Sequence, residues 1–323
     1  MIKFKNYFRY ILIWPILRFK NFDSSESIII FGEARSGTTW LLEMISAIIP
    51  SCINWEPLHV TRGVVPKKYK FGWRPFLPVD DTSEIYKSLF VKILNFDVYS
   101  LFTTSYIKVR DLFHYKPMLI KFVRANLLVP YLLKNFNFNY PPIFLLRNPI
   151  DTCISQINTW DKFKIKGVNY EIPDCINNER FAEHHNFLMQ LESELERKIA
   201  NWCINNCQTI NQLNELKVNV VYYSDLLINP KKELKDILDS IGLDYDKSKL
   251  DSIDFRKASS TDFIKSYSAS VEKQLNKNFE ILDTETKDKI QKIFDYFELK
   301  LYTAYSPLPV EQYRAMYKLR IEK

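Results

Sequence analysis

The chain has little of several residues on which other protein classes depend. Glycine occurs six times in 323 residues, about 2% against the usual ~7%, which excludes a collagen-like or glycine-rich disordered chain. Cysteine occurs five times at scattered positions, which excludes a disulfide-stapled scaffold and offers no paired ligand set for zinc. We therefore expect free, buried thiols, a reducing compartment (the cytoplasm) and no metal site.

Long apolar runs are absent as well. Tyr10 to Leu17 reads YILIWPIL between two arginines, but a bilayer span needs ~20 apolar residues, and no signal-peptide cleavage site follows. We expect this part of the N-terminal segment (residues 1–26) to dock on the protein. The alternative is a peripheral membrane contact through residues 4–19.

Neither sign of charge dominates. The chain has 45 basic and 38 acidic residues, a net charge of +7, which suits an anionic ligand but is too small to indicate nucleic acid binding. With 46% hydrophobic and 15% aromatic residues, a sizeable core is available. We expect an ordinary globular protein that forms one domain over residues 1–323.

Short apolar runs alternate with helical patterns along the chain. Four runs predict buried strands: Ile28–Phe31, Leu119–Val123, Ile143–Leu146 and Val218–Tyr223. Because a helical pattern follows each run, we predict an α/β fold with a central, mostly parallel sheet. Further helices are predicted at 127–136, 179–207 (with His184 as a structural histidine), 230–241 (ended by Gly242) and 285–303.

Two stretches depart from this alternation. Residues 57–118 contain several prolines and many aromatic side chains and predict a helical and loop insertion. Residues 254–279 are rich in serine and lysine and predict a loop. We expect both to cover the carboxyl edge of the sheet, where open α/β sheets bind ligands.

A phosphate-binding loop follows the first predicted strand. The segment Gly32-Glu-Ala-Arg35-Ser36-Gly37-Thr38-Thr39 has the spacing GxxxxGK[ST] and opens a helix, so its backbone N–H groups form an anion cradle. Thr38 stands where the lysine that reaches a triphosphate is expected, which argues against an ATPase or GTPase. Arg35 supplies positive charge instead. A nucleotide or small-molecule kinase of the P-loop type remains the alternative.

Three motifs resemble those of the sulfotransferases that use 3′-phosphoadenosine 5′-phosphosulfate (PAPS). Residues 35–39 match the family's [RK]-S-G-[TS]-[TS], and Trp40 is also common there. Arg147-Asn-Pro followed by Ser155 matches a strand end in R-[DN]-P with a serine on the next helix. Residues 222–226 resemble Y-E-D-L, with serine in place of the glutamate. The resemblance extends over roughly residues 27–230.

The resemblance implies a P-loop-like, three-layer α/β fold and PAPS as co-substrate, with 3′,5′-ADP as the product. It implies that Arg35, Ser36, Gly37, Thr38, Thr39 and Trp40 hold the 5′-phosphosulfate, and that Arg147 and Ser155 hold the 3′-phosphate. Arginine suits that role because its planar fork contacts phosphate oxygens in pairs. Tyr223, Arg256 and Lys257 are weaker candidates for the same ligand.

The resemblance also suggests a catalytic base. Trp55-Glu56-Pro57-Leu58-His59 is similar to the E-P-L segment of carbohydrate sulfotransferases, which makes Glu56 the expected base and His59 the second choice. Cytosolic members use a histidine after a lysine of the second strand, but here that strand reads Lys121-Phe-Val-Arg and has none. Arg35 and Lys121 would stabilise developing charge. The alternatives are that Lys121 is a surface lysine at a strand edge and that Glu56 forms an ion pair at a helix end or in a loop.

A basic, aromatic stretch follows Glu56. Its charged residues are Arg62, Lys67, Lys68, Lys70 and Arg74, interleaved with Tyr69, Phe71 and Trp73. Aromatic rings stack on sugars, so we expect a small-molecule or glycan acceptor and no nucleic acid, with a merely solvated face as the alternative. If Glu56 and Lys121 were remote from the phosphate loop, a catalytically inactive protein that binds 3′,5′-ADP would fit the sequence better.

Overall fold

The structure is a computed structural model that describes residues 2–112, 117–162, 179–262 and 269–318, with backbone alone for residues 2–8 and 160–162. Its strands are β1 (Ile28–Gly32), β2 (Cys52–Trp55), β3 (Met118–Phe122), β4 (Ile143–Leu146) and β5 (Asn219–Tyr222). Its helices are α1 (Ile2–Arg18), α2 (Thr38–Ile48), α3 (Glu84–Leu94), α4 (Val129–Asn135), α5 (Pro149–Lys162), α6 (Glu179–Ala182), α7 (His185–Leu188), α8 (Glu194–Asn211), α9 (Tyr223–Ile228), α10 (Pro230–Ile241), α11 (Lys247–Asp251), α12 (Val271–Asn276), α13 (Thr284–Tyr296) and α14 (Glu311–Tyr317).

The five strands form one parallel sheet in the order β2-β3-β1-β4-β5. Its central strand β1 is buried at every residue, as a parallel strand covered on both faces should be. The four strands predicted from apolar runs are confirmed to within a residue or two at their ends. Because all strands run the same way, their carboxyl ends meet along one edge, and the loops that leave them lie close together.

Strand β2 was not predicted. It contains only Cys52, Ile53, Asn54 and Trp55, with Pro50 before it and Pro57 after it, and its polar Asn54 interrupts the apolar run. Pairing with β3 forms the strand, with Trp55 in register with Lys121. The consequence is that Glu56 leaves the carboxyl end of an edge strand of the sheet.

Alternate strand residues face two separate cores. Ile29, Phe31 and their equivalents pack towards α8 and α13 on one face, whereas Ile28 and Ile30 pack towards α2 and α10 on the other. This is the alternation that pleated strands impose. A sheet between two helical layers confirms the predicted three-layer α/β architecture. Of the five cysteines, Cys52, Cys153, Cys203 and Cys207 are free and buried as predicted, and Cys175 lies outside the described residues.

Most helix predictions are confirmed, but one predicted helix is divided and another was predicted too long. The predicted helix 179–207 is divided into α6, α7 and α8, because Ser193 starts a new helix there: its Oγ accepts a hydrogen bond from Glu196 N at 3.1 Å. This Ser-x-x-Glu pattern is a capping sequence that the apolar stripe concealed. The predicted helix 285–303 ends as α13 at Tyr296, and Glu298 just beyond it has a φ of 54°. His184 has the expected structural role, with Nδ1 3.2 Å from the Tyr296 hydroxyl.

The N-terminal segment docks on the protein, as predicted. Ile13 and Leu17 of α1 are 0% and 4% exposed and join the larger core. Arg9 Nη1 donates a hydrogen bond of 2.5 Å to Ser105 O, which ties α1 to the insertion. Within the described residues, every helix is too short or too polar to span a bilayer.

Candidate active site

The phosphate loop connects β1 to α2 and depends on its two glycines. Gly37 has a φ of 98°, and a Cβ there would lie 2.6 Å from the ring of Tyr223. A Cβ on Gly32 would lie 2.6 Å from Thr38 Cγ2. Both separations are too short for a side chain. Glycine at position 32 therefore allows the loop to close onto the start of α2, and glycine at position 37 allows the ring of Tyr223 to pack against the loop. Arg35 itself has a φ of 68°, a strained conformation of the kind that often occurs at functional sites.

One loop hydroxyl has no bonding partner. Ser36 is 0% exposed, and among the described residues nothing forms a hydrogen bond with its Oγ. An unpaired buried hydroxyl costs free energy, and an anion in the loop would satisfy it. Ser36 therefore fits a site that is completed by a ligand.

The second motif converges on the same loop. Arg147 follows β4, and its Nη1 donates a 2.9 Å hydrogen bond to Arg35 O. Arg35 Nε in turn donates to Ser155 Oγ of α5 at 3.2 Å. The Arg147 guanidinium also lies over the ring of Tyr223, 4.3 Å from its centroid. The structure thus brings Arg35, Arg147, Ser155 and Tyr223 together, although they come from four separate segments.

A buried ion cluster occupies the neighbouring strand ends. Lys121 Nζ lies 2.9 Å from both Glu56 Oε1 and Thr39 Oγ1, and 3.5 Å from the centroid of the Trp55 ring. Arg124 Nη1 lies 3.3 Å from Glu56 Oε2. Lys121 is 2% exposed, so its interpretation as a surface lysine is wrong. Thr39 links this cluster directly to the phosphate loop.

The backbone of Glu56 is strained. Its φ is 42°, although a residue before a proline favours an extended conformation. Two hydrogen bonds hold it there, from Glu56 N to Lys121 O and from His59 N to Glu56 O, both 3.0 Å. The carboxylate is therefore directed at Lys121 by the main chain as well as by charge.

The charges of the cluster set its protonation. Burial raises the pKa of Glu56, but Lys121 and Arg124 lower it by more, so that it lies below its ordinary value. Burial lowers the pKa of Lys121, and Glu56 opposes that effect. At neutral pH Glu56 is therefore an ionised carboxylate held between two cations.

His59 lies beside the cluster in a different role. Its Nε2 is 2.7 Å from Arg62 Nη2, and its ring packs edge-to-face against Trp73 and Phe102. Burial, Arg124 and Arg62 lower its pKa to about 4, despite an opposing effect of Glu56. His59 is therefore neutral at neutral pH, with Arg62 covering the nitrogen a base would use.

The phosphate loop and the ion cluster line one cavity of about 200 Å³. Its walls come from residues 34, 35 and 37–40, from Glu56, Lys121, Val123 and Arg124, and from Arg147, Tyr223 and Leu227. Ser259, Thr261 and Asp262 complete it, so the first part of the predicted loop 254–279 reaches this edge. The prediction of a loop is wrong for the last part, where Ser270 caps helix α12. Residues 263–268 lie outside the described part. Arg256 and Lys257 are exposed and are not among the lining residues.

Sequence reasoning missed several of these lining residues. Asp262 Oδ1 lies 3.4 Å from Arg35 Nη2, and a polar Ser-Ser-Thr-Asp run after the basic pair was the available signal. Sequence reasoning noted Arg124 only as the last residue of the Lys121-Phe-Val-Arg segment. Its position three residues after Lys121, just beyond a strand end, was the signal that could have identified it.

The basic, aromatic stretch is only partly available to a ligand. Phe71 is 5% exposed and belongs to the core, so the prediction that its ring stacks on an acceptor is wrong. Arg74 is engaged with Glu33 of the phosphate loop, Nη2 to Oε1 at 2.9 Å. Lys67, Lys68 and Lys70 are exposed. Trp73 remains 45% exposed, with Arg124 4.4 Å from its ring centroid.

Several solved structures are similar to this chain. The sulfotransferase domain from the curacin biosynthetic pathway is 15% identical, with a TM-score of 0.44 over 84% of this chain and 98% of that chain. Mouse sulfotransferase SULT7A1, complexed with PAP, is 15% identical, with a TM-score of 0.44 over 91% and 89% of the two chains. A sulfotransferase from Alicyclobacillus acidocaldarius is 12% identical, with a TM-score of 0.41 over 89% and 99%.

A comparison with curated proteins gives no match. The sulfotransferase domain family model, by contrast, matches residues 25–293, which is most of the chain. The matched range contains the phosphate loop, the Arg147 motif and the ion cluster around Lys121. This chain therefore belongs to the sulfotransferase family, whose members are enzymes that transfer a sulfuryl group.

Proposed function

We propose that this enzyme transfers the sulfuryl group of PAPS to a hydroxyl group of a small-molecule or glycan acceptor. One observation carries the proposal: Thr39 of the phosphate loop and Glu56 share the ammonium of Lys121 at 2.9 Å each. An anion-binding loop and a group able to accept a proton therefore border the same cavity. In-line transfer requires the donor and the acceptor to meet in this way.

The residues around the loop fit a donor with two anionic groups. The unpaired Ser36 hydroxyl and the backbone cradle of residues 35–39 suit the 5′-phosphosulfate. Arg147 and Ser155, which both form hydrogen bonds with Arg35, suit the 3′-phosphate. When bound, PAPS supplies an activated sulfuryl group and a leaving group, 3′,5′-ADP.

Lys121 is the residue we assign to stabilising charge on the leaving oxygen. Its ammonium is buried and donates a hydrogen bond to Thr39. Preorganised charge in such a water-poor site contributes more than it would in solution. Arg35 would add a second positive charge from the phosphate loop.

Glu56 is the residue we assign as the base. It is ionised, borders the cavity and reaches it from the end of β2, away from Arg147 and Ser155. His59 is the weaker choice, since Arg62 covers its Nε2 at 2.7 Å. Trp73, exposed beside Arg124, is the ring best placed to contact an acceptor.

The donor assignment predicts selective stabilisation by nucleotide. We expect 3′,5′-ADP to raise the thermal unfolding temperature and ATP with Mg²⁺ to raise it much less, since a ligand that binds only the native state stabilises it by mass action. The physical reason is that Thr38 replaces the lysine of a triphosphate loop, whereas Arg147 and Ser155 offer a separate phosphate site. Equal stabilisation by the two nucleotides would favour a kinase.

The two 3′-phosphate residues should differ in their contributions. Loss of a charge-assisted hydrogen bond costs ~1.5–3 kcal/mol, so we expect Arg147→Ala to weaken 3′,5′-ADP binding roughly 10- to 150-fold. Ser155→Ala removes a neutral contact of ~1 kcal/mol and should weaken binding about fivefold. Isothermal titration calorimetry measures both. Wild-type affinity in Arg147→Ala would mean that this arginine has only a structural role.

A further inference from the structure

Helix α1 has apolar residues on two opposite sides. Ile13 and Leu17 are buried in the core, as described above. On the outward side, Ile11, Leu12 and Trp14 are 51%, 50% and 43% exposed. Phe19, directly after the helix, is 86% exposed. Several exposed large apolar side chains on one element of a globular protein usually mark a binding surface.

The orientation of α1 is fixed by the fold. Arg9 is bonded to Ser105 O, and the Tyr99 hydroxyl donates to Trp14 O at 3.5 Å. Together with the burial of Ile13 and Leu17, these contacts hold the helix along the insertion. The exposed side is therefore a fixed surface of the protein rather than one face of a loose tail.

The charge of the N-terminal segment has one sign, although Asp97 of the neighbouring insertion lines a cavity together with Trp14 and Arg18. The first 22 residues contain five basic residues and no acidic one, whereas the whole chain has 45 basic and 38 acidic residues. Arg18 is exposed on the outward side, one helical turn from Trp14, with its Cζ 5.5 Å from that ring. Apolar side chains with a tryptophan and flanking basic residues suit the interface of an anionic membrane.

We propose that the outward side of α1 binds the surface of a membrane that contains anionic lipids. The helix would lie in the plane of the interface, with Ile11, Leu12 and Trp14 among the acyl chains and Arg18 at the lipid phosphates. A second copy of the chain is a poorer occupant. A symmetric contact would set each basic surface against an identical one.

Flotation of the full-length protein with lipid vesicles tests this proposal. We expect binding to vesicles with roughly one third phosphatidylserine and not to pure phosphatidylcholine, with binding weakened by salt because anionic lipids attract basic residues. The variant Ile11→Ser/Leu12→Ser/Trp14→Ser should bind at least about tenfold more weakly. Arg18→Glu should lose at least about fivefold.

A matched control uses three other exposed apolar residues. Ile85→Ser/Val91→Ser/Ile281→Ser changes side chains that are 62%, 39% and 69% exposed elsewhere on the surface, and should bind vesicles like wild type. Three results would overturn the proposal. They are an equal loss of vesicle binding in both triple variants, absence of wild-type binding to anionic vesicles, and concentration-dependent dimerisation through α1 without vesicle binding. Vesicle binding requires no donor nucleotide, so its failure is distinguishable from failure of the sulfuryl-transfer assignment.

Discussion

Replacement of Lys121 by methionine is expected to lower turnover by about 10²–10³-fold, the usual effect of removing one preorganised group that stabilises transition-state charge. Lys121 contacts both Thr39 of the phosphate loop and Glu56, so its loss removes the charge between the donor and acceptor sides of the cavity. Methionine has a similar length and no charge, and it suits a site that is 2% exposed. The rate is measured as 3′,5′-ADP release from PAPS, with the best acceptor from a screen of hydroxyl compounds.

The folded state should survive this change. Glu56 retains Arg124 as a partner, and methionine fills the volume beside Trp55. Circular dichroism melting and 3′,5′-ADP binding report the state of the variant separately from its rate. Lys134→Met, which removes an exposed lysine of α4, is the matched control and should be fully active. Turnover near wild type in Lys121→Met would show that the leaving oxygen is stabilised by another group.

Glu56→Gln should lower turnover by about 10²–10⁴-fold, the range expected when a general base is removed. Glutamine keeps the size of the side chain and one oxygen acceptor for Lys121, but it cannot take a proton. Affinity for 3′,5′-ADP should stay close to wild type, because Glu56 lies away from Arg147 and Ser155. His59→Gln is the control and should retain activity; the opposite ranking of the two variants would make His59 the base.

The pH dependence follows from the direction of the Glu56 pKa. Burial raises it, but Lys121 and Arg124 outweigh burial and hold it below its ordinary value. A base must be ionised, so we expect wild-type activity to stay high on acidification through the ordinary carboxyl range, ~4.3, and to fall only below it. A depressed pKa likewise stabilises the fold above the unfolded-state pKa, and this stability is lost as pH falls through the folded-state pKa. Glu56→Gln should reduce that loss, as followed by melting temperature against pH.

Sequence reasoning worked best where the chemistry is local. The phosphate loop consists of consecutive residues between a buried strand and a helix, so its glycines and Arg35 could be interpreted without knowledge of the rest of the fold. The same holds for the strand end at Arg147, whose partner Ser155 is eight residues away on the next helix. Alternation of apolar runs with helical patterns was sufficient to predict the parallel sheet, because strands covered on both faces must be almost wholly apolar.

Non-local pairing explains what sequence reasoning missed. The four residues of β2 are too few, and their apolar pattern is too weak, to predict a strand. They form one because they pair with β3. Phe71 lies among lysines and arginines that are typical of a solvated surface, yet its ring is in the core. The capping serine of α8 was hidden because the apolar stripe continues across the break in the helix.

The amino-acid sequence by itself determined that the sheet is parallel, where the anion-binding loop lies and which family motifs are present. Each of these features depends on residues that are close together in the sequence. The tertiary structure alone decided that Glu56 and Lys121 form one site. They are separated by 65 positions, and they meet because β2 pairs with β3 in a register that sets Trp55 beside Lys121. That register depends on packing between distant segments, which also buries the lysine. The charges of Lys121 and Arg124, brought beside Glu56 in this way, lower the pKa of its carboxylate.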